Sequence, residues 1–239
     1  MTPACKSTQP VPPSPRDPPA SWEERSANRV LETGRDQILE RSRKLVDAAY
    51  DLLEEHGLEG LTIRAVLKRT GLSRRAFYER FEGKDDLVLA VFEHTIRRAA
   101  GQLDELAGTM ADPMERLRVI VTSIVVGNIA LAAPDGEQSN RRGAALSREH
   151  LRLAESRPAD LQAALRPLLA VITRQLSEGM EAGCVRSDDA RRMGALIYNL
   201  VSTTVHTELL AEETARPDRE QRARLAADIW EFCRRAITA

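Results

Sequence analysis

"GLSRRAFYERFEGKDDL", residues 71–87, is the stretch on which the reading of this chain turns. A Gly-Leu-Ser turn precedes Arg74 and Arg75. Phe77 and Phe81 stand four residues apart, as do Arg74 and Tyr78. Residues four apart share a helix face. One edge of this helix therefore carries two phenyl rings and calls for a core behind it. A displaced edge carries a guanidinium and a phenol and should face outward. Ser73 suits the N-cap, because its hydroxyl can accept from an early helical amide. The helix is expected to run to about Phe81.

Working outward, a helical stripe begins near Arg35 with Ile38, Leu45, Val46, Ala49, Leu52 and Leu53, and Gly57 should close it as a C-cap. Thr62 can cap a short helix with Ile63, Val66 and Leu67 on its inner side. A further helix should run from about Asp85 past Arg98, with Asp85 and Asp86 in the first turn, where acids suit the dipole. Helix, glycine-containing turn, helix is a helix-turn-helix, whose second helix enters the DNA major groove.

Charge points the same way. Residues 62–84 hold seven cations (Arg64, Lys68, Arg69, Arg74, Arg75, Arg80, Lys84) against Glu79 and Glu82, a surplus of five. The whole chain carries −1, so the remainder carries −6. Such a local basic patch is the footprint of a phosphate backbone. Ser73, Arg74 and Arg75 would face base edges, and arginine can bond guanine bidentately. Tyr78, Thr62 and Lys84 lie where phosphates would be held, which sets register rather than sequence. A merely solvated face, or an Arg75–Glu79 pair, would account for any one of these residues. It does not account for the set.

At 239 residues and 42% hydrophobic content the chain can bury a real core, and Ala, Leu, Glu and Arg favour helices. Seven of the twelve prolines fall in residues 1–20, so residues 1–34 are expected to be a disordered tail, although the charged stretch 21–34 could begin a helix. Cys5, Cys184 and Cys233 form no CxxC or Cys/His cluster, which speaks against zinc or a disulfide framework and fits a cytoplasmic protein. The oiliest segment, VIVTSIVVGNIALAA at 119–133, is too short to span a bilayer, and no membrane role is expected. Its β-branched run could pass for a strand, but its helical neighbours favour a helix. No cofactor loop is found, and no cofactor is expected.

Beyond residue 100 at least five more helices are expected. Pro113 opens one, broken at Pro134-Asp135-Gly136, and an Arg-rich stretch, Asn140–Arg157, is helical in part. Leu161, Leu165, Leu168, Ile172, Leu176 and Met180 form a stripe that Pro167 should kink. Asp188 should cap the next helix, with Met193, Leu196, Ile197, Leu200, Val201 and Val205. The last helix follows Pro217 and carries Leu225, Ile229 and Phe232. The expected fold is all-α, with a three-helix head over 35–95 and a larger helical body over 96–239.

The run LTIRAVLKRTGLSRRAFYERFEGKDDLVLAVF resembles the DNA-binding region of tetracycline-repressor (TetR) type regulators. The matching features are Thr62, the Gly71-Leu72-Ser73 turn, Tyr78, Phe81, Lys84 and Leu87. Upstream, AAYDLLEEHGLEGLT resembles the family's first helix. The resemblance implies that Arg64 and Arg80 also reach DNA. Arg75, Leu67 and Glu79 depart from the usual glycine, alanine and aromatic, which concerns operator sequence and helix packing. It further implies a homodimer on a palindromic operator, through helices near 159–182 and 188–212, although those stripes also fit a monomeric core. Gly194 and Ala195 would let helices approach closely. A small-molecule effector would bind the body, for which Asn128, Tyr198, Thr122 and His94 are candidates, with His150 and His206 beside them. Arginines 141, 142, 148 and 152 could suit an anionic ligand or a solvated face. The resulting expectation is a ligand-released repressor. An activator with the same head is an alternative, as is an all-α enzyme, against which no catalytic constellation recurs.

Overall fold

The computed structural model describes residues 22–126, 136–211 and 219–239. The chain divides into two units, Met1–Arg43 and Lys44–Ala239. Nine helices lie among the described residues: α1 Trp22–Gly60, α2 Ile63–Thr70, α3 Arg74–Tyr78, α4 Lys84–Gly108, α5 Pro113–Val126, α6 Gly136–Ser156, α7 Pro158–Glu181, α8 Ala190–Ala211 and α9 Arg219–Ile237. Among the described residues the β-structure is one antiparallel bridge between Val185 and Thr238.

In the first unit, helix begins at Trp22, inside the stretch expected as a tail, while residues 1–21 lie outside the described residues. Ile38 was expected on the buried stripe; it is 54% exposed, beside exposed Leu39. The Ser42 hydroxyl donates to the Ile38 carbonyl at 2.8 Å.

The second unit has two cores. The head core gathers Leu45, Ala49, Leu52, Leu53, Leu61, Val66, Phe77, Phe81, Leu87 and Val91. The backbone leaves helical geometry at Gly57 (φ 67°), the left-handed conformation glycine tolerates, so the chain can turn towards α2 there. The body core joins α4, α5, α6, α7, α8 and α9. Within it α4 packs on α7 and α5, α5 on α9 and α7, and α7 on α8. The β-branched run through Val126 is helical, and residues 127–133 lie outside the described residues.

Two elements tie head to body. Helix α4 gives Leu87, Val88 and Val91 to the head core and Leu89, Phe92, Ala100 and Leu103 to the body core. Helix α6 gives Ala145 to the head core, and Leu146 packs against both.

Helix α7 holds Pro167 within its length. Several expectations are corrected. Asp189, not Asp188, caps α8, accepting from the Arg191 and Arg192 amides at 2.9 and 3.2 Å. Asp188 instead holds Arg186 and Arg192 at 2.7 and 2.6 Å. Phe232 is 65% exposed, because α9 turns Ile229 and Cys233 inward instead. The α7 stripe is spent on the chain's own core, and Gly194 meets α7 of the same chain, where a Cβ would lie 3.1 Å from Thr173 Oγ1.

Phe77 is fully buried at the centre of the head. Phe77→Ala should destabilise the head by about 3–5 kcal/mol, through lost burial and the cavity left behind. Chemical denaturation followed by circular dichroism measures this, and a loss below about 1 kcal/mol would show that the ring does not anchor α3.

Candidate nucleic-acid interface

The interface is assembled by two capped turns. The Thr62 hydroxyl accepts from the Ala65 amide at 3.1 Å and starts α2. Gly71 ends α2 in the left-handed region (φ 70°), its amide donating to the Leu67 carbonyl at 2.9 Å. The Ser73 hydroxyl accepts from the Ala76 amide at 3.1 Å and starts α3. Helix α3 closes at Tyr78, earlier than expected, although the Phe81 amide still reaches the Phe77 carbonyl at 3.0 Å.

The two edges of α3 separate as the spacing requires. Phe77 and Phe81 are buried with ring centroids 5.6 Å apart. Ser73, Arg74, Arg75 and Tyr78 are exposed, and Tyr78 rests edge-on against Phe77 at 5.3 Å. On α2, Thr62, Arg64 and Lys68 are exposed, and the side chains of Arg64 and Lys68, like that of Arg74, meet no hydrogen-bonding or ion-pair partner among the described residues.

The other cations are engaged. Arg69 grips Glu55 bidentately at 2.9 and 2.6 Å, holding that carboxyl below its usual range. Arg75, its side chain 90% exposed, donates to Glu79 at 3.0 Å, the main reason the Glu79 carboxyl is also lowered. Arg80 departs from expectation. Its side chain is only 6% exposed and folds back on the Ala76 carbonyl, with Glu79 at 3.4 Å, so it braces the end of α3 and does not project from it. Lys84, half-buried, donates to the Leu58 carbonyl at 3.1 Å and ties the start of α4 to the end of α1. Arg80 was expected at DNA from the resemblance and Lys84 from its place after the helix, and neither signal says where a long side chain turns.

The effector candidates scatter. Asn128 lies outside the described residues. The Thr122 hydroxyl turns back to the Arg118 carbonyl at 2.8 Å. His94 belongs to the head, edge-on to Tyr50 at 6.2 Å and 3.9 Å from Asp47. Arg152 is bound to the buried Glu149 at 2.9 and 2.7 Å and lies 3.6 Å from Asp85 at the start of α4.

Tyr198, His150 and His206 do converge where α4, α6 and α8 meet. The imidazole centroids are 4.4 Å apart, with His150 6.3 Å from Tyr198 and 6.1 Å from Phe92. His206 Nδ1 shares a 2.9 Å hydrogen bond with Ser147, while its Nε2 is buried without a partner. Burial, reinforced by His150, pushes His206 down to about 4. Burial also lowers His150 and raises the Tyr198 phenol.

Residues 45–91 match the family model described as bacterial regulatory proteins, tetR family. The chain is 31% identical over 81 residues to the HTH-type transcriptional regulator BetI of Brucella anthropi, 34% of this chain and 42% of that one, so the match spans less than half the relative's length. It is 20% identical over 171 residues to the fatty acid metabolism regulator protein of Bacillus subtilis, 71% of this chain and 84% of the relative. The crystal structure of FadR from Bacillus subtilis with stearoyl-CoA shares the fold at TM-score 0.59 and 19% identity, over 80% of this chain and 96% of that one. A TetR-family regulator from Pectobacterium atrosepticum does so at TM-score 0.68 and 20% identity, over 86% and 97%.

His206 yields a pH prediction. Its folded pKa lies below the ordinary 6.5, so between about pH 6.5 and 4 the unfolded chain binds the extra proton. Stability from this group is complete above pH 6.5 and is lost as pH falls towards 4. Thermal melts from pH 7.5 to 4 should show a shallower acid decline for His206→Gln than for the parent chain; identical declines would contradict it.

The matched head, its two capped turns and the shared all-helical fold make this chain similar, over residues 45–91, to the tetR family of bacterial regulatory proteins.

Proposed function

We propose that the protein is a homodimeric, sequence-specific DNA-binding repressor, released from a palindromic operator by a small-molecule effector. The observation that carries this reading is the exposed row Ser73, Arg74, Arg75 and Tyr78 on a helix pinned from behind by Phe77 and Phe81. With α3 in the major groove, Arg74 and Arg75 would meet base edges. Arg75 must first leave Glu79, a small loss for an exposed pair. Thr62, Arg64, Lys68 and Tyr78 would hold phosphates. Arg80 and Lys84 would brace the head.

One five-residue helix reads little sequence, so two heads on inverted half-sites are needed for specificity. Exposed apolar side chains on the two last helices, Leu196 (64%) and Leu200 (37%) on α8 and Phe232 (65%) on α9, would supply a dimer face, while exposed Leu106 and Leu151 lie on α4 and α6. This favours α8 with α9 over α7 with α8. An effector at the His150–His206–Tyr198 cluster would act through α6, whose Ala145 and Leu146 sit in or against the head core. The Bacillus subtilis FadR structure holds stearoyl-CoA, and a mostly apolar effector with one polar group facing His206 Nε2 fits this cluster. Binding favouring one head spacing would shift the operator equilibrium by its differential affinity.

The test is fluorescence anisotropy on operator duplexes across salt concentrations. Arg75→Ala should cost about 1–3 kcal/mol and relax preference at one base position. Arg64→Ala should weaken all sequences alike and lower the salt slope by about one. Wild-type behaviour of both variants would contradict the groove assignment. Sedimentation should show Leu196→Asp with Phe232→Asp as a folded monomer; a persistent dimer would place the interface elsewhere.

A further inference from the structure

Several arginines among the described residues are held by a carboxylate three or four residues away: Arg118 by Glu115, Arg152 by Glu149, Arg157 by Asp160, and Arg234 and Arg235 by Glu231. Arg166 of α7 and Arg191 of α8 are exceptions. Neither guanidinium meets a hydrogen-bonding or ion-pair partner among the described residues. The sequence explains why. Arg166 has Gln162, Ala163, Leu169 and Ala170 at the relevant spacings, and Asp188, near Arg191, is occupied by Arg186 and Arg192.

Both unpaired arginines line one groove of about 570 Å³, together with Leu169, Ala170, Thr173 and Arg174. Arg174 adds a third cation, but its guanidinium is already committed to Asp104 and, at 3.8 Å, to Glu178. No carboxylate lines the groove. Thr173 also faces Gly194, where the missing side chain lets α8 approach α7 closely. The groove thus combines two free guanidiniums with a short apolar floor, at a volume typical of small-ligand sites. Arginine presents a planar fork that receives phosphate or carboxylate oxygens in pairs.

We propose that this α7–α8 groove binds an amphipathic anion. Arg166 and Arg191 receive its phosphate or carboxylate head, and Leu169 and Ala170 receive its apolar chain. The site is separate from the DNA-binding edge and from the histidine cluster, and it stands independently of the regulator reading. A soluble ester and an anionic lipid share this chemistry.

Isothermal titration of the full chain with decyl phosphate, below its micelle concentration, tests the proposal. Inorganic phosphate and decanol serve as the separate halves. Decyl phosphate should bind more tightly than either half, and more weakly as salt rises. Arg166→Gln and Arg191→Gln should each weaken it about tenfold, and the double variant should abolish it. Both residues are exposed, so thermal melting and operator affinity should stay unchanged, which separates this test from that of the DNA interface. Vesicles containing phosphatidic acid distinguish the sources: co-sedimentation that the double variant loses indicates a lipid, and its absence beside decyl phosphate binding indicates a soluble ester. Absent binding, binding no tighter than inorganic phosphate, or undiminished binding to the double variant would overturn the proposal.

Discussion

Everything the head can do depends on the packing of Phe77 and Phe81 beneath α3. A five-residue helix is far too short to hold itself together in water, so tertiary contacts must fix it. Two phenyl rings, four residues apart and 5.6 Å between centroids, supply those contacts from one side. The caps at Thr62, Gly71 and Ser73 then fix the angle between α2 and α3. Once the rings are committed to the core, helical geometry leaves Arg74, Arg75 and Tyr78 no direction but outward. A cationic outer edge is thus a consequence of burying its opposite edge.

The same economy governs charge. The head carries a surplus of cations, yet the fold does not leave them equally available. Arg69 is neutralised by Glu55, Arg80 is folded onto a carbonyl, and Lys84 is tied to the end of α1. Arg64, Lys68 and Arg74 are left open, and Arg75 is held by a single exposed pair that a stronger acceptor can displace. The basic edge is therefore narrower than the charge count suggests, and more sharply placed. Behind it, α4 and α6 are shared by the two cores. Packed side chains of α4 and α6 therefore join the surroundings of His150 and His206 to the head.

Much of this was legible in the sequence because its signals are local. Capping hydroxyls, glycines at left-handed positions and i, i+4 apolar pairs depend on neighbours within a turn, and those at Thr62, Gly71, Ser73, Phe77 and Phe81 all appear as the spacing requires. Where the reading failed, the deciding partner lay elsewhere. Periodicity put Ile38 and Phe232 on buried stripes, but a stripe does not say whether its partner lies in the same chain. Asp188 and Asp189 are both chemically competent caps, and only the positions of Arg186 and Arg192 separate them. Composition marked Arg80 and Lys84 as basic, but not that carbonyls lay within their reach. The histidine cluster joins residues more than fifty positions apart, a proximity that no single-sequence pattern encodes.

The central claim, a paired reading edge built on α3, is tested most directly by selecting binders from random DNA duplexes at low salt and sequencing them. The account predicts convergence on two inverted half-sites about one helical turn apart, roughly 34–36 Å centre to centre. Enrichment of one unsymmetrical site, or no enrichment while the protein remains folded, would contradict it.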